Sequence, residues 1–364
     1  MKVEMVLPSL QVGGMEHMAV TLSTALHRAG MEVGVTCVDN ADGELIKTLT
    51  SVGIRVSFQK APGFLSNFSA PGLATHFTRL RPDVVHSHSG VWGRACRAAR
   101  MAGIRRTVHT VHGKPDQDPW FDIPLRKWEA RMTDRIVTVS APLAEDLVVR
   151  VGVDRSKISI CENGVDSSKF APDALDRSLI RRALDVSDRL VFGVVARLVS
   201  VKNLHVLIEA FAEIRSKIPL EHRPVLLLVG AGPLELELRS IAEHWGLAES
   251  CRFLGERADT DRVHRAIDIF VLPSLAEGTS ISILESMASG ALVVATPVGS
   301  NPKLLGRNER GILASGPDRS SIAAAMLTAA SSYQDAKLQK AARDFVVEHY
   351  SVERMTADYL RFYS

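Results

Sequence analysis

Two glutamates, Glu277 and Glu285, stand on either side of seven residues in the stretch PSLAEGTSISILESMASGALVVATP. Between them, Gly278–Ser280 precede a run with helical spacing that ends at Gly290. The free N–H groups and the dipole at the start of a helix favour an anion. A carboxylate placed before such amides suits ligand hydroxyls better than phosphate, and the second glutamate could accept from another set of hydroxyls. An anion between two groups of hydroxyls describes a sugar nucleotide.

A strand, a loop, a helix and a second strand are needed to hold this stretch. The apolar sequences Asp268–Leu272 and Ala291–Ala295 predict buried parallel strands on either side of it. The helix is predicted to start within a few residues of Thr279, Ser280 or, from its capping-box spacing, Ser282. The loop would then lie at the carboxyl end of a strand, where open α/β sheets bind ligands. The alternative is that the two glutamates are an ordinary loop residue and an ordinary helix-surface residue.

The stretch resembles the EX7E motif of the retaining GT-B glycosyltransferases, and specifically of the glycosyltransferase 4 family, whose usual form is close to EGFPxxxLEAMAxGxPVVAT. Thr279 and Ser280 replace the usual aromatic residue and its neighbour. The resemblance implies two Rossmann-like α/β domains whose parallel sheets face across a cleft, with the nucleotide mostly on the C-terminal domain. The matching positions are Glu277, Gly278, Leu284, Glu285, Met287, Ala288, Gly290 and Val293–Thr296.

The composition is that of a soluble globular protein with about two domains. The chain has 364 residues, of which 46% are hydrophobic and 23% charged. Its net charge of +3 is too small to argue for nucleic acid, and the basic excess lies in the N-terminal half. The four cysteines show no CxxC spacing and predict buried thiols, not a disulfide framework or a zinc site. We find no signal-peptide pattern and no apolar run of membrane-spanning length, so a cytoplasmic location is expected.

The first predicted strand, Val3–Leu7, leads into a turn that contains Gly13 and Gly14, and a helix is predicted from Glu16 to Ala29. Glycines in such a turn let the backbone approach a ligand and leave amides facing it, although an ordinary turn also requires glycine. The segment resembles the family's GGxE turn, with its glutamate in register. The resemblance implies that both glycines contact the donor.

Two features of the N-terminal half are candidates for an acceptor site. The loop at residues 60–72, KAPGFLSNFSAPG, has an apolar tip and predicts either an ordinary loop over the core or a contact with an acceptor or a membrane. Further on, Arg94, Arg97 and Arg100 are spaced to share one helix face. Such a face is commonly just solvated. The alternative is a contact with anionic lipid head groups, on the inner face of the membrane, or with a phosphorylated acceptor.

His112 follows the predicted strand Thr107–Val111 and enters the loop GKPDQDPWFDIP. A histidine at a strand end is usually structural. The segment that contains His109 and His112 resembles the family's THxxHG-type segment, which implies that His112 faces the donor sugar. Trp120 and Phe121 in the same loop are candidates for an acceptor platform.

Arg197 and Lys202 flank a turn that follows the predicted strand Leu190–Val195. Two cations at the carboxyl edge of a sheet fit a diphosphate, because charge-assisted hydrogen bonds to phosphate are strong. The pattern resembles the family's GRLxxxKG segment, in which the arginine and the lysine are kept. Ala196 and Asn203 stand where the family has two glycines.

Two shorter segments of the second half add to the resemblance. The turn Gly230–Pro233 matches the family's GxGP turn better than a dinucleotide fingerprint, because the third glycine of the fingerprint is Glu235 here. This match implies a donor contact at Gly232. Phe253–Gly255 resembles the FLG segment whose backbone reads the nucleobase, which makes Leu254 a candidate base contact.

We expect three parts along the chain. Residues 1–166 are predicted to form the N-terminal Rossmann-like acceptor domain, ending at a segment that resembles the family's NGVD. Residues 167–345 are predicted to form the C-terminal Rossmann-like donor domain. Residues 346–364 are predicted to carry the helix that crosses back to the first domain. The Asp-x-Asp triplets at 116–118 and 259–261 are interpreted as loop residues, and no metal site is expected.

The expected reaction is a retaining transfer of a hexose-type sugar from a nucleoside diphosphate sugar, of UDP or GDP, to a hydroxyl of a glycan, lipid-linked or polysaccharide. No cofactor or metal is expected. Arg197, Lys202 and the amides of Thr279–Ile281 would hold the diphosphate and stabilise it as it leaves. Glu285 would bind the ribose, and Glu277 and His112 the sugar. The rivals are an NAD-dependent oxidoreductase, a sugar-nucleotide epimerase of GT-B fold and a catalytically silent nucleotide-sugar-binding subunit.

Overall fold

The computed structural model describes residues 1–11, 13–41, 43–60, 70–113, 122–219 and 222–364. The chain divides into two compact units, Met1–Gly164 together with Val352–Ser364, and Val165–Ser351. The segment that returns to the first unit was predicted to begin at residue 346. In the structure the helix Ala336–His349 belongs to the second unit, and the return begins at Val352.

The first unit is built on a seven-stranded parallel sheet covered by helices. Its strands are β1 (Lys2–Leu7), β2 (Glu32–Cys37), β3 (Arg55–Phe58), β4 (Val84–His88), β5 (Arg106–Val111), β6 (Arg135–Thr138) and β7 (Ile158–Ile160). Its helices up to β7 are α1 (Gly14–Arg28), α2 (Leu45–Ser51), α3 (Pro71–Leu80), α4 (Trp92–Met101), α5 (Asp122–Met132) and α6 (Ala141–Asp146). The strand order is β3-β2-β1-β4-β5-β6-β7, so the sheet grows in opposite directions from the β1/β4 pair.

The second unit repeats this architecture with six parallel strands. They are β8 (Val191–Val195), β9 (Val225–Val229), β10 (Cys251–Gly255), β11 (Ile269–Leu272), β12 (Leu292–Ala295) and β13 (Ile312–Leu313). Its helices are α7 (Ala174–Ala183), α8 (Leu204–Arg215), α9 (Glu235–His244), α10 (Thr260–Ala266), α11 (Ile281–Ala288), α12 (Asn301–Leu305), α13 (Arg319–Ser332) and α14 (Ala336–His349). The strand order is β10-β9-β8-β11-β12-β13, which places the change of direction between β8 and β11.

The last helix, α15 (Val352–Tyr363), packs on α1 and β5 of the first unit. Two buried tyrosines fix it to the sheet. The hydroxyl of Tyr363 is hydrogen-bonded to Nδ1 of His86 at 2.6 Å, and that of Tyr359 to Oγ1 of Thr110 at 2.9 Å. The helix therefore contributes core side chains to a sheet that the chain left about two hundred residues earlier.

The strands form because their residues are apolar and largely β-branched and lie under helices on both faces. The apolar strands β9, β11 and β12 are buried along their whole length. The predicted strand Leu190–Val195 is observed as β8, whereas β3 was not predicted, since only its middle residues are even partly buried. Helix α6 is followed directly by a π-helix, Leu147–Val151. All four cysteines are buried free thiols, as predicted.

Candidate active site

The change of strand direction in the second sheet brings two predicted site residues together. Lys202 lies in the loop after β8, and Glu277 lies in the loop after β11. Nζ of Lys202 donates to Oε1 of Glu277 at 2.6 Å, and the two side chains are only 17% and 9% exposed. The crevice at such a point, outside the carboxyl ends of the strands, is where open α/β sheets bind ligands.

Glu277 is held from two sides. The hydroxyl of Ser274, which is fully buried, donates to the same Oε1 at 2.6 Å. The loop itself is tied to its neighbours, because the carbonyl of Ser274 accepts from the hydroxyl of Thr296 at 2.6 Å and the amide of Leu275 donates to the carbonyl of Val201 at 2.8 Å. The described residues give Oε2 of Glu277 no partner, so this oxygen is available to a ligand hydroxyl.

The loop continues into the N-terminus of α11. Ser280 is the N-cap, and its Oγ accepts from the amide of Ile283 at 3.4 Å. Thr279 is also buried, and its hydroxyl lies 3.1 Å from that of Ser300. The amides of residues 279–281 thus stand at the positive end of a helix dipole. They follow Glu277 closely in the chain, and Glu277 is bonded to Lys202.

A glycine after β12 permits the close approach of two loops here. Gly299 has a φ of +56°, and a Cβ at this position would lie 2.3 Å from the carbonyl oxygen of Glu277 and 2.7 Å from that of Gly278. The amide of Ser300 donates to the Gly278 carbonyl at 3.0 Å. The backbones of the loops after β11 and β12 are therefore in contact, and only glycine at position 299 leaves room for this contact.

Arg197 and Gly232 lie on two further turns at the same edge. Arg197 is exposed after β8, and no described residue pairs with its guanidinium. A Cβ at Gly232 would lie 2.4 Å from the carbonyl oxygen of Leu198, and the amide of Leu198 donates to the carbonyl of Ala231 at 2.9 Å. Gly232 is therefore needed so that the turn after β9 can pack against the turn that carries Arg197.

Asn203 shows how the turn tolerates the loss of a family glycine. It adopts a left-handed conformation with a φ of 56° at the start of α8, and asparagine is one of the few residues other than glycine that accept this region. Its side-chain Nδ2 also donates to the carbonyl of Pro317 at 2.9 Å. The cation before it, Lys202, keeps its place.

Leu254 and Glu285 complete the predicted donor residues of the second unit. Leu254 lies in β10, half-buried against the core, and the carbonyl of Gly255 after it accepts from Gly230 at 2.8 Å. Glu285 lies in the middle of α11 with its side chain 18% exposed. One of its carboxylate oxygens, Oε2, stands 3.2 Å from Nε2 of the buried His264, without the geometry of a hydrogen bond.

In the first unit, His112 follows β5 and is partly exposed. Its Nε2 lies 2.8 Å from Nδ1 of His88, whose own Nε2 is buried without a partner among the described residues. A buried N–H without an acceptor is rarer than a buried acceptor without a donor. We therefore assign the shared proton to His88 Nδ1, so that His112 carries its own proton on Nδ1. No described residue bonds to that Nδ1, which leaves His112 a neutral donor.

Burial keeps this part of the sheet uncharged. It lowers the pKa of His112 to about 4 and that of His86 to about 3. Burial, together with the neighbouring imidazoles, lowers the pKa of His88 and of His109 well below the usual value. His109 is further fixed by stacking on Trp92, with ring centroids 4.2 Å apart. At neutral pH the four imidazoles are therefore neutral hydrogen-bonding groups.

Gly13 and Gly14 start α1 after β1. Gly13 is the N-cap in an extended conformation, and the Glu16 side chain folds back to within 2.3 Å of where a Cβ would stand. A Cβ on Gly14 would meet none of the described residues within 4 Å. The structure thus places both at the carboxyl edge of the first sheet, with free space on Gly14.

The predicted face of three arginines on α4 is wrong. Arg94 is buried, and its guanidinium bonds to the carboxylate of Asp39 and to the carbonyl of Gly90 at 2.6 Å. The first turn of α4 packs beneath the loops after β2 and β4, so helical spacing could not reveal this cover. Arg97 and Arg100 remain exposed, and Arg100 also donates to the carbonyl of Met132.

The second Asp-x-Asp triplet lies at the start of α10. Asp259 is the N-cap of α10 and binds Arg257, and Asp261 lies in the first turn of α10 and not in a loop. Residues 61–69 of the apolar loop, the triplet 116–118, and Trp120 and Phe121 lie outside the described residues. Within the described ranges, no three His, Cys, Asp or Glu side chains are grouped to hold a metal. No helix of that same part of the chain is long and apolar enough to span a membrane.

Three residues that support the site were not predicted from the sequence: Ser274, His88 and His264. Ser274 gave a weak signal, because it is a polar residue directly after a buried strand. The two histidines gave none, since a single histidine on an apolar strand or helix is usually structural.

Two family models match the sequence. The model described as Glycosyltransferase Family 4 matches residues 12–169, and the model described as Glycosyl transferases group 1 matches residues 176–345. The second match contains every predicted donor residue of the second unit. The first contains Gly13, Gly14 and His112.

Two relatives and one solved structure illustrate the similarity. The chain is 33% identical over 248 residues to UDP-Gal:alpha-D-GlcNAc-diphosphoundecaprenol alpha-1,3-galactosyltransferase of Escherichia coli. The matched region covers 64% of this chain and 62% of that protein. It is 30% identical over 291 residues to a D-inositol 3-phosphate glycosyltransferase of Corynebacterium urealyticum, covering 72% of this chain and 67% of that protein. The Anabaena protein Alr3699/HepE in complex with UDP-glucose superposes with a TM-score of 0.86 at 22% identity, over 99% of this chain and 98% of that one. This likeness confirms the predicted fold class.

Proposed function

The chain belongs to the glycosyltransferase 4 family, and we propose that it moves a hexose-type sugar from a nucleoside diphosphate sugar to a hydroxyl of a glycan, with retention at the anomeric carbon. The observation that carries the proposal is the meeting of Lys202 and Glu277, 2.6 Å apart, at the carboxyl edge of the second sheet and beside the N-terminus of α11. A cation and free amides suit a diphosphate, and a carboxylate beside them suits the hydroxyls of a sugar.

UDP is the first candidate for the nucleotide and GDP the second. The solved neighbour was crystallised with UDP-glucose, and the name of the Escherichia coli relative gives UDP-Gal as its donor. Leu254, with its backbone at the end of β10, is the proposed contact of the base, and Glu285 the proposed acceptor from the ribose hydroxyls. Gly13, Gly14 and Gly232 are proposed to let backbone approach the donor. His112 is proposed to donate to the sugar.

The mechanism follows from where charge develops. The bond between the anomeric carbon and the diphosphate breaks through an oxocarbenium-like transition state, and negative charge grows on the leaving phosphate. Lys202, Arg197 and the amides of Thr279–Ile281 stabilise that charge, which is the largest usual contribution to such catalysis. An oxygen of the leaving phosphate takes the proton of the acceptor hydroxyl on the same face, so that the new glycosidic bond forms with retention. No step in this scheme requires a metal or a cofactor.

Glu277 and Lys202 change partners in this scheme. The diphosphate competes with Glu277 for Lys202, because phosphate oxygens are strong acceptors from an ammonium. As Lys202 turns to the diphosphate, the Glu277 carboxylate becomes available to the sugar hydroxyls, with Ser274 still holding Oε1. Sugar binding and diphosphate binding are thereby linked.

The acceptor is proposed to be a lipid-linked or polysaccharide glycan that binds the first unit. The name of the Escherichia coli relative contains diphosphoundecaprenol as part of its acceptor. A cytoplasmic protein in peripheral contact with an anionic membrane would suit such an acceptor, and Arg97 and Arg100 are the exposed candidates for that contact. Sedimentation with phosphatidylcholine vesicles, with and without phosphatidylglycerol, tests it. Equal sedimentation of the wild type and the Arg97→Glu/Arg100→Glu variant would refute this contact.

The proposed function is tested by nucleotide release. Purified protein is incubated with UDP-, GDP-, ADP- and dTDP-sugars, with EDTA and without acceptor or with a lipid-linked glycan, and free nucleoside diphosphate is measured. We expect release from a single donor, unaffected by EDTA and lost in Lys202→Met and Glu277→Gln. Lys217→Met is the matched control. Lys217 belongs to the same unit and forms an exposed ion pair with Glu213, outside the loops that follow β8 and β11. Nucleotide binding without release would favour the silent binding subunit, and a change of the sugar without transfer would favour the epimerase.

A further inference from the structure

His264 lies in α10, a helix that carries none of the proposed donor contacts. Its side chain is fully buried, yet it reaches α11 with both ring nitrogens. Nδ1 is 2.8 Å from the hydroxyl of Ser286, and Nε2 is 3.2 Å from Oε2 of Glu285. The two residues that it faces are neighbours in the chain, and one of them is the proposed ribose acceptor.

The hydrogen bond to Ser286 decides which nitrogen of His264 carries the proton. Ser286 is fully buried, and His264 is the only described residue to which its hydroxyl is bonded. The hydroxyl hydrogen therefore has one place to go, the Nδ1 lone pair, since a buried donor without an acceptor is costly. With Nδ1 accepting, the ring proton sits on Nε2, which faces the Glu285 carboxylate.

The ring cannot turn away from this position without loss of packing. Phe170 meets it edge-on with centroids 5.8 Å apart, and Phe270 of β11 lies at 5.6 Å. Nε2 of His264 is buried and makes no hydrogen bond to a described residue, although the carboxylate oxygen of Glu285 is within reach. A small rotation of the Glu285 side chain, which has three rotatable bonds and is partly exposed, would complete the bond.

We propose that His264 is a positioning residue that holds the Glu285 carboxylate for the ribose of the nucleoside diphosphate. Oε2 of Glu285 accepts from His264, which directs Oε1 towards the ribose hydroxyls. This inference rests on the proposed function, in which Glu285 binds ribose. Recognition of the ribose would then depend on two residues from two helices. Glu285 contacts the ligand, and His264 holds Glu285 in place.

The test is the ratio between the Kd of 2′,3′-dideoxy-UDP and that of UDP, measured by calorimetry on the full chain, with the corresponding GDP pair if GDP is the nucleotide that binds. We expect the wild type to bind UDP about 10- to 100-fold more tightly, the range for charge-assisted bonds to hydroxyls. The Glu285→Gln variant should lose most of this ratio. In His264→Phe, which keeps an aromatic ring but no donor, the ratio should fall at least threefold, and His264→Gln, whose amide can replace Nε2–H, should restore part of it.

Val263→Ala is the matched control, because Val263 is a buried core residue of the same helix. It should lower the unfolding temperature and leave the ratio unchanged, which separates positioning from general stability. A wild-type chain that binds neither UDP nor GDP would refute the proposed function and this inference with it. A ratio that is lost in Glu285→Gln but unchanged in His264→Phe would overturn only the inference. An unchanged ratio in Glu285→Gln would remove the ribose assignment on which the inference depends.

Discussion

Replacement of Glu277 by glutamine should separate binding of the nucleotide from binding of the sugar. In the structure Lys202 donates to Glu277 at 2.6 Å, with both side chains largely buried, and a diphosphate must compete for that ammonium. Glutamine keeps an oxygen for Ser274 and Lys202 but removes the charge. Lys202 keeps its charge in this variant, so its bond to glutamine is still charge-assisted but no longer faces a carboxylate. Hydrogen bonds that involve a charged group contribute about 1.5–3 kcal/mol, and we place the amide at the lower end and the carboxylate at the upper end. About 1.5 kcal/mol less would then oppose the release of Lys202.

The expected result is therefore tighter binding of UDP alone by Glu277→Gln, by about tenfold in Kd. A UDP-sugar should gain less than UDP or lose affinity, because the carboxylate no longer accepts from the sugar hydroxyls. Lys202→Met should weaken both ligands, since the diphosphate loses a cation. Calorimetric titration of the three proteins with UDP and with the UDP-sugar found in the release assay measures all of these changes.

The reasoning would be refuted if Glu277→Gln weakened UDP as much as Lys202→Met does. That result would mean that Glu277 contacts the nucleotide directly or that the loop collapses without its charge. The unfolding temperature distinguishes these two explanations. Loss of the ion pair should lower it by about 3–6 °C in a unit of this size, whereas a collapsed loop would lower it further and blur the transition.

Three further outcomes follow from the geometry. The contribution of His112 to the free energy of unfolding should be fully present above about pH 6.5 and should fall as the pH drops towards 4. The reason is that burial lowers the pKa of His112 to about 4 in the folded protein, so that the unfolded chain takes up the proton first. In urea unfolding at several pH values, the change of this free energy with pH should be smaller by about 1.4 kcal/mol per pH unit in His112→Gln than in the wild type. Asn203→Ala should cost about 1–3 kcal/mol in chemical denaturation, because the left-handed backbone and the bond to the Pro317 carbonyl both suffer, whereas Asn203→Gly should cost less than Asn203→Ala. Gly232→Ala should lower the unfolding temperature and abolish nucleotide binding, because its Cβ would stand 2.4 Å from the Leu198 carbonyl oxygen. A calorimetric titration with UDP that is the same as for the wild type would contradict this.

The strands, the turns and the order of the elements could be predicted because they depend on local composition. Apolar runs predicted β8, β11 and β12, and Ser280 and Gly290 bracket the helix α11 as their residue types require. The pairing of Lys202 with Glu277 was not predicted, although both residues were named. They are far apart in the chain, and only the adjacency of β8 and β11 in the sheet brings them together.

Helical spacing failed for a related reason. It predicts which residues share a face and does not reveal what covers that face. Arg94 and Arg97 have the same spacing from their neighbours, yet Arg94 is buried against Asp39, from the end of a strand more than fifty residues earlier. His264 is the converse case, since nothing in its helix distinguishes it until the fold brings Ser286 and Glu285 to its two nitrogens.

The two sheets differ in the kind of hydrogen bond that their carboxyl edges can offer. The second sheet presents charges, Arg197 and Lys202 with Glu277, together with the start of a helix, and such groups select a diphosphate. The first presents imidazoles that burial keeps neutral, and we assign to His112 an Nδ1–H that bonds to no described residue. A neutral donor can bind a sugar hydroxyl without attracting phosphate, whereas a lysine at the same place would also attract phosphate. Replacement of His112 by lysine should therefore impair sugar transfer more than replacement by asparagine, which keeps an uncharged donor.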